Sequence, residues 1–150
     1  MIRLSTKGRY GVRLMLDLAL HFGKGLVSLR DVAQRQEISE KYLWQLIAPL
    51  KHAGLINAAR GANGGYALTR PPKQINLKDI VSVLEGPVCL LDCVNNPSAC
   101  KRSALCIARD VWQETSRKIL KILSTVTLEN MVHKQKNKIK NWNQKSRKYY

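Results

Sequence analysis

Apolar residues near the start of the chain recur at intervals of three and four, which is the spacing of amphipathic helices. The first such helix is predicted from about Lys7 to His21, with Asp17 interrupting its apolar run. A second helix is predicted to begin after Ser28 and to run through Arg35. The Ser28 hydroxyl can cap it, and Asp31 stands where a capping-box acid is found.

A third helix is predicted from Glu40 to about Ala53, capped by Ser39 and ended by Gly54 in a left-handed stop. Its apolar residues fall on one narrow stripe, which must be the buried face: Leu43, Leu46, Ile47 and Leu50. The opposite face then carries Lys41, Gln45, Ala48 and His52, with Trp44 on its flank. Pro49 is expected to bend or weaken the last turns.

Two short strands are predicted after the third helix, at Ile56–Arg60 and Tyr66–Leu68. They are joined by Gly61-Ala62-Asn63-Gly64-Gly65, a hairpin turn that contains Asn-Gly. Helix, tight turn, helix and β-wing make a winged helix-turn-helix, which places one helix in the DNA major groove.

The exposed face of the third helix suits base recognition. Lys41 can donate to guanine edges or to phosphate, and Gln45 offers the donor and acceptor that match adenine. Arg60 stands at the base of a wing tip with few side chains, where a cation is drawn to a narrow minor groove. The alternative is an ordinary solvated helix face beside a surface hairpin whose arginine keeps it soluble.

The second half of the chain is predicted to form a short helix, a loop and a long helix. Asn76 caps the short helix, Leu77 to Glu85, and residues 87–100 have no period and form a loop. The long helix is predicted from about Lys101 to Ser124. Residues at coiled-coil spacing form its seam, namely Leu105, Ala108, Trp112, Thr115, Ile119 and Ile122. A second copy of the chain is the expected cover for this seam, and packing within one chain is the alternative.

Charge and composition agree with a nucleic-acid partner. A net charge of +16 and a pI near 10.1 point to a polyanion, either nucleic acid or an acidic membrane surface. Residues 127–150 carry seven basic side chains against one acidic side chain. Their distal part, from Lys134 to Tyr150, is predicted to be a disordered tail that adds salt-dependent phosphate contacts or only solubility. Leu14–Leu20 is broken by Asp17 and resembles neither an export signal nor a membrane span, so a cytoplasmic protein is expected.

The cysteines are clustered in one segment. Cys93, Cys100 and Cys106 have the spacing C-x6-C-x5-C, and Cys89 lies four residues upstream. No C-x-x-C pair occurs, which disfavours structural zinc. Three thiolates on a loop can instead hold an iron–sulfur cluster, which usually needs four ligands. Buried free thiols are the alternative, although the polar residues around them argue against it.

Several motifs resemble the Rrf2 family of bacterial winged-helix transcription regulators, and in particular its iron–sulfur cluster regulators. They are the run Arg3–Gly11, the pairs Ile38-Ser39, Tyr42-Leu43, Gln45-Leu46 and Gly54-Leu55, and the wing Arg60–Tyr66. The resemblance covers about residues 1–130. It implies a homodimer that binds an operator in double-stranded DNA through a winged helix, with the long helix as the dimer element and no enzymatic activity.

The resemblance also assigns site residues. Cluster-ligating cysteines of the family fall on Cys93, Cys100 and Cys106, which implies a [2Fe–2S] cluster rather than a [4Fe–4S] cluster and cluster-assembly proteins as further partners. The position of a histidine ligand falls on Arg109, which cannot bind iron. The fourth ligand is left open among Cys89, Asp92, Asp110 and an external thiol. Residues assigned to DNA binding are Ser39, Lys41, Tyr42, Trp44, Gln45 and Arg60.

The expected organisation is therefore mainly α with a small β-wing, in four parts. Residues 1–72 form the winged helix-turn-helix, and residues 73–100 the short helix and cysteine loop. Residues 101–130 form the dimerisation helix and a following short helix, and residues 131–150 the basic tail. The expected function is a DNA-binding regulator, in the first instance a repressor, that senses cluster or redox status through three cysteines. A repressor of cysteine metabolism or thiol redox without a cluster is the alternative.

Overall fold

A computed structural model describes residues 4–146 and has a mainly helical fold with one two-stranded antiparallel sheet. The elements are α1 (Thr6–Leu20), α2 (Leu29–Gln36), α3 (Glu40–His52), β1 (Ile56–Ala59), β2 (Gly65–Leu68), α4 (Leu77–Glu85), α5 (Asp92–Asn95), α6 (Ile107–Thr125) and α7 (Leu128–Ser146). Short 3₁₀ turns lie at Pro72–Gln74, Pro97–Ala99 and Ser103–Leu105. Within this part of the chain, no helix has the combined length and apolarity that a membrane crossing requires.

The second and third helices begin where their capping residues predict, and the third helix also ends where its glycine predicts. Ser28 Oγ accepts a hydrogen bond from the Asp31 N–H at 3.1 Å, and Ser39 Oγ accepts one from the Tyr42 N–H at 3.2 Å. Gly54 follows α3 with a φ of 70°, the left-handed conformation expected at the stop. Local sequence therefore sets the start of α2 and both ends of α3, the two helices of the helix-turn-helix.

The core lies beneath α1, α3 and the sheet. The predicted apolar stripe of α3 is buried, and it meets apolar side chains of α1, α2 and β1; the innermost are Leu14, Met15, Val32, Leu43, Leu46, Leu50 and Ile56. Burial of each such side chain contributes roughly 1.5–3 kcal/mol to folding. This packing leaves the opposite face of α3 in solvent.

The wing is attached to the segment before α2. β1 and β2 pair from Ile56 opposite Leu68 to Ala59 opposite Gly65. The Val27 N–H donates to the Tyr66 carbonyl at 2.9 Å, and the Tyr66 N–H donates to the Val27 carbonyl at 2.8 Å. A Cβ at Gly65 would lie 2.6 Å from the Val27 oxygen, so only glycine permits this approach. The two hydrogen bonds at Tyr66 and the close approach at Gly65 thus fix the wing against the segment before α2.

The long helix begins later than predicted. It begins at Ile107, not near Lys101, because a 3₁₀ turn precedes it. Ser103 is 9% exposed, and its Oγ lies 2.6 Å from the Pro97 carbonyl oxygen and 2.7 Å from that of Cys100. This contact bends the chain back on itself before the helix starts. Leu105 is 91% exposed outside the helix, so the prediction that it belongs to the seam is wrong.

The basic segment at the end of the chain is helical as far as the structure describes it. The prediction of a disordered tail from residue 131 is wrong for residues 131–146, which belong to α7. Leu128 is fully buried, and Met131 and Val132 pack against the core, so the first turns anchor the rest. Residues 147–150 lie outside the described part, as does Arg3 of the N-terminal motif.

Candidate nucleic-acid interface and cysteine loop

The outer face of α3 carries the side chains predicted to meet DNA. Lys41, Gln45 and Ala48 are exposed, and Trp44 is 56% exposed. Tyr42 differs from them because it is half-buried and its ring meets the edge of the Tyr10 ring at 5.5 Å. The structure therefore gives Tyr42 a packing contact between α3 and α1, and Ser39 the role of helix cap.

A cleft of about 510 Å³ separates α3 from the wing. Trp44 and Tyr66 meet across it edge to face, with ring centroids 6.2 Å apart at 87°. Basic residues from three different elements line it: Arg30 from α2, Lys51 from α3 and Arg60 from the wing. The positive charge suits the backbone of a nucleic acid.

Arg30 and Lys51 are functional candidates that the sequence pattern does not single out. Neither residue belongs to one of the sequence motifs described above. Only the packing of α2, α3 and the wing brings their side chains to one cleft. Among residues 4–146, no ion pair engages Arg30, Lys51 or Arg60. Glu40 also lines the cleft, so among its described residues three basic side chains stand against one acidic side chain and the cleft keeps a net positive charge.

The pKa of the Tyr66 phenol is higher in the cleft than in water. Burial of the phenol raises its pKa above 10.0, because the charged phenolate loses hydration there. A phenol with an ordinary pKa is already neutral at physiological pH, and burial keeps Tyr66 neutral to a higher pH. It adds a rigid ring to the cleft and no negative charge that would repel phosphate.

The four cysteines, all free thiols, lie on the segment 89–106, which we call the cysteine loop. Cys89 is half-buried, and its Sγ accepts a hydrogen bond from Asn95 Nδ2 at 3.0 Å. Cys93 lies on α5, Cys100 is exposed, and Cys106 stands immediately before α6. The loop thus connects directly to the first turn of the long helix.

The residue types of the cysteine loop favour a metal centre, but the arrangement of their side chains does not. Three thiols on one loop are the right chemistry for an iron–sulfur cluster. In the described chain, however, no three side chains of His, Cys, Asp or Glu come close enough together to hold a metal ion. The residue types of the loop therefore fit a cluster, while the described side chains are not gathered into a metal-binding group.

Arg109 holds the cysteine loop against α6. Its side chain is 14% exposed, and its Nε donates to the Cys93 carbonyl at 2.8 Å. The resemblance aligns this position with a histidine ligand, but a guanidinium stays protonated and cannot bind iron. Here Arg109 makes a structural contact between α5 and the first turns of α6.

A carboxylate connects the same region to α1. Glu85 ends α4, one residue before Gly86, and its Oε1 accepts hydrogen bonds from the Ser5 hydroxyl at 2.5 Å and from the Gly8 N–H at 2.8 Å. A negative group at a helix N-terminus is favourable because the free N–H groups there carry partial positive charge. The N-terminal turn of α1 is therefore fixed to the end of α4, a few residues before the cysteine loop.

The long helix has one face packed within the chain and one face in solvent. Ser116 is 4% exposed, and its Oγ accepts a hydrogen bond from the Leu90 N–H at 3.2 Å. Ile119, placed in the predicted seam, instead lines a cleft of about 650 Å³ between α1, α4 and α6. The exposed stripe of α6 carries three apolar residues, Ile107, Val111 and Ile122, which are 75%, 55% and 64% exposed. The ion-paired side chains of Glu114 and Lys118 lie between Val111 and Ile122 on this stripe.

Comparisons with known proteins agree with this architecture. The Rrf2 family, described as an iron-dependent transcriptional regulator, matches residues 4–134. The protein named rrf2 from Nitratidesulfovibrio vulgaris is 39% identical over 131 residues, which cover 87% of this chain and 87% of that protein.

Two solved structures are similar over most of their length. CymR, the global cysteine regulator of B. subtilis, superposes with a TM-score of 0.75 at 38% identity, covering 89% of this chain and 98% of that chain. The T. potens IscR structure superposes with a TM-score of 0.74 at 42% identity, covering 89% of this chain and 88% of that chain. The winged-helix fold inferred from the sequence is confirmed by these two structures.

Proposed function

The chain belongs to the Rrf2 family of transcriptional regulators, and from that premise we propose that it binds an operator in duplex DNA as a homodimer. The cysteine loop controls this binding. The observation that carries the proposal is the cleft between α3 and the wing, with its three basic side chains beside the exposed face of α3.

Each part of the interface has a separate task. Lys41, Trp44 and Gln45 project from the first two turns of α3, the part of a recognition helix that meets base edges. Arg60 enters the adjacent minor groove from the wing, and Arg30 and Lys51 hold phosphates between the two. Ser39 and Tyr42 fix the direction of α3.

The homodimer forms through α6. Its exposed stripe carries the apolar residues Ile107, Val111 and Ile122 on either side of the Glu114–Lys118 ion pair, and water covers it in the isolated chain. The cleft between α1, α4 and α6 offers a matching apolar surface, with Val12, Val81 and Leu123 among its walls. A two-fold pair would bury the stripe of each copy and place two recognition helices for two half-sites.

The signal that the cysteine loop receives is proposed to be an iron–sulfur cluster of the [2Fe–2S] type. Support comes from three cysteines in one loop, from the iron-dependent description of the family and from the likeness to T. potens IscR. A cluster would supply a redox-sensitive centre, with Cys93, Cys100 and Cys106 as its holders and cluster-assembly proteins as its source. Because Cys106 adjoins α6 and Glu85 ties α4 to α1, a change in the loop reaches both the dimer helix and the DNA-binding part.

A thiol-based regulator without a cluster is the second candidate. Two observations favour it: the described cysteines are not gathered into a metal-binding group, and CymR, a cysteine regulator, is equally similar in structure. In this case the thiols themselves, or a partner enzyme, would carry the signal.

The test is the visible spectrum and iron content of the full chain purified without oxygen, for the wild type and for Cys100→Ser and Cys106→Ser. Visible absorption and bound iron that both substitutions abolish are expected for a cluster. Cys89→Ser tests the fourth ligand: a milder effect is expected if Cys89 lies outside the cluster, and the same loss is expected if it is the fourth ligand. A colourless, iron-free wild type after cluster reconstitution would exclude the first candidate and leave the thiol-based regulator.

A further inference from the structure

Trp44 is an unusual residue for the outer face of a recognition helix. It is 56% exposed, although large aromatic side chains usually lie inside or at an interface. Its neighbours on this face, Lys41 and Gln45, are polar side chains that water solvates well. The exposed part of the indole is therefore available for an apolar contact outside the chain.

The indole is also held in one direction. The Tyr66 ring meets it edge to face at 6.2 Å and 87°, an arrangement preferred by aromatic pairs. Tyr66 itself is fixed, because its backbone makes two hydrogen bonds to Val27 and the preceding residue of its strand, Gly65, passes the Val27 backbone at close range. Tyr66 thus supports Trp44 from the wing side and leaves the rest of the indole exposed toward solvent.

We infer that Trp44 reads thymine in the major groove through the C5-methyl group, with Tyr66 as its positioning residue. The inference rests on the proposed function, since it requires that α3 lie in the groove. The thymine methyl is the apolar feature that the major groove presents, and cytosine lacks it. An indole has no acceptor and one N–H donor, so its broad apolar surface suits a methyl group better than a polar base edge.

The position on the helix supports the assignment. Trp44 lies in the second turn of α3, on the side that faces the cleft with Glu40 and Lys51. Gln45 lies next to it on the outer side, where it can meet an adjacent adenine. The two residues together predict neighbouring thymine and adenine preferences in each half-site.

Deoxyuridine provides the test, because it pairs like thymidine and lacks only the methyl group. Sequences are first selected with the full chain from random duplex DNA, and each thymine of the selected site is then replaced singly by deoxyuridine. One thymine in each half-site is expected to be sensitive, with an affinity loss of about fourfold for one buried methyl group. Trp44→Ala should bind both duplexes with equal affinity, while Gln45→Ala, the matched control, should keep the uracil penalty.

The role of Tyr66 has its own measurement. Tyr66→Ala should reduce the uracil penalty, and Tyr66→Phe, which keeps the ring edge, should restore it. Selective binding without any uracil penalty, or a penalty that survives Trp44→Ala, would overturn the inference and leave DNA binding intact. A pool from which the chain selects no sequence would overturn the proposed function, and the thymine assignment with it.

Discussion

Arg35 donates two hydrogen bonds to the carboxylate of Asp17, from Nη2 to Oδ1 at 2.7 Å and from Nε to Oδ2 at 3.1 Å. Asp17 is 1% exposed, and Gln36 Nε2 adds a third hydrogen bond at 2.9 Å. The buried carboxylate is therefore fully paired, and it joins α1 to α2. The Asp17 that interrupts the apolar run of the first helix is thus a structural connection between helices.

Arg35→Ala is expected to destabilise the fold by roughly 1–3 kcal/mol, because it leaves a buried carboxylate with fewer donors. Denaturant unfolding of both proteins measures the difference. Gln34→Ala, an exposed change on the same helix, is the control and should leave stability nearly unchanged. An unchanged midpoint for Arg35→Ala would mean that the buried carboxylate does not depend on its partner.

Alkaline pH is expected to destabilise the chain through Tyr66. Burial raises the pKa of Tyr66 in the folded chain, so the unfolded chain loses this proton first, near its ordinary pKa of 10.0. The contribution to stability is therefore complete below pH 10 and is lost as the pH rises toward the folded pKa. Unfolding free energies across this range should fall less steeply for Tyr66→Phe, and equal slopes would contradict the assigned burial.

The dimer should depend on the outer stripe of α6. Ile122→Asp places a charge in the proposed apolar contact and is expected to give a monomer in sedimentation at micromolar concentration. Lys121→Asp, one position away on an exposed part of the same helix, should remain dimeric. A dimeric Ile122→Asp variant would move the interface to another surface.

Removing the chain from Lys134 onward should reduce salt dependence without removing sequence preference. The anchors Leu128, Met131 and Val132 stay, so the fold is expected to persist. The slope of log affinity against log salt should become less steep by about 0.9 for every phosphate that the shortened chain no longer neutralises. If the shortened chain keeps the full slope, the basic half of α7 does not bind phosphate.

Local signals predicted the DNA-binding half of the fold. Capping residues Ser28 and Ser39 and the turn before Gly65 act on their immediate neighbours, so their consequences can be inferred from a few residues of sequence. The cleft could not be predicted in this way. Arg30, Lys51 and Arg60 share it only because tertiary packing assembles three elements.

The errors in the second half have two different causes. The late start of α6 depends on Ser103 reaching back to the Pro97 carbonyl, a contact that helical spacing does not reveal. The helix of the basic segment depends on Leu128, which is completely buried in the core and anchors the first turn of α7. Polar composition favoured disorder there, but apolar residues at 128, 131 and 132 already carried helical spacing.

The most direct test of the central claim is the equilibrium affinity of the full chain for a selected duplex and for a scrambled duplex at one salt concentration. The wild type should prefer the selected duplex. Arg60→Ala should weaken that complex by roughly 1–3 kcal/mol, the worth of one good groove contact, while Lys121→Ala on α6 should not. Equal affinity of the wild type for both duplexes, together with no effect of Arg60→Ala, would contradict the account.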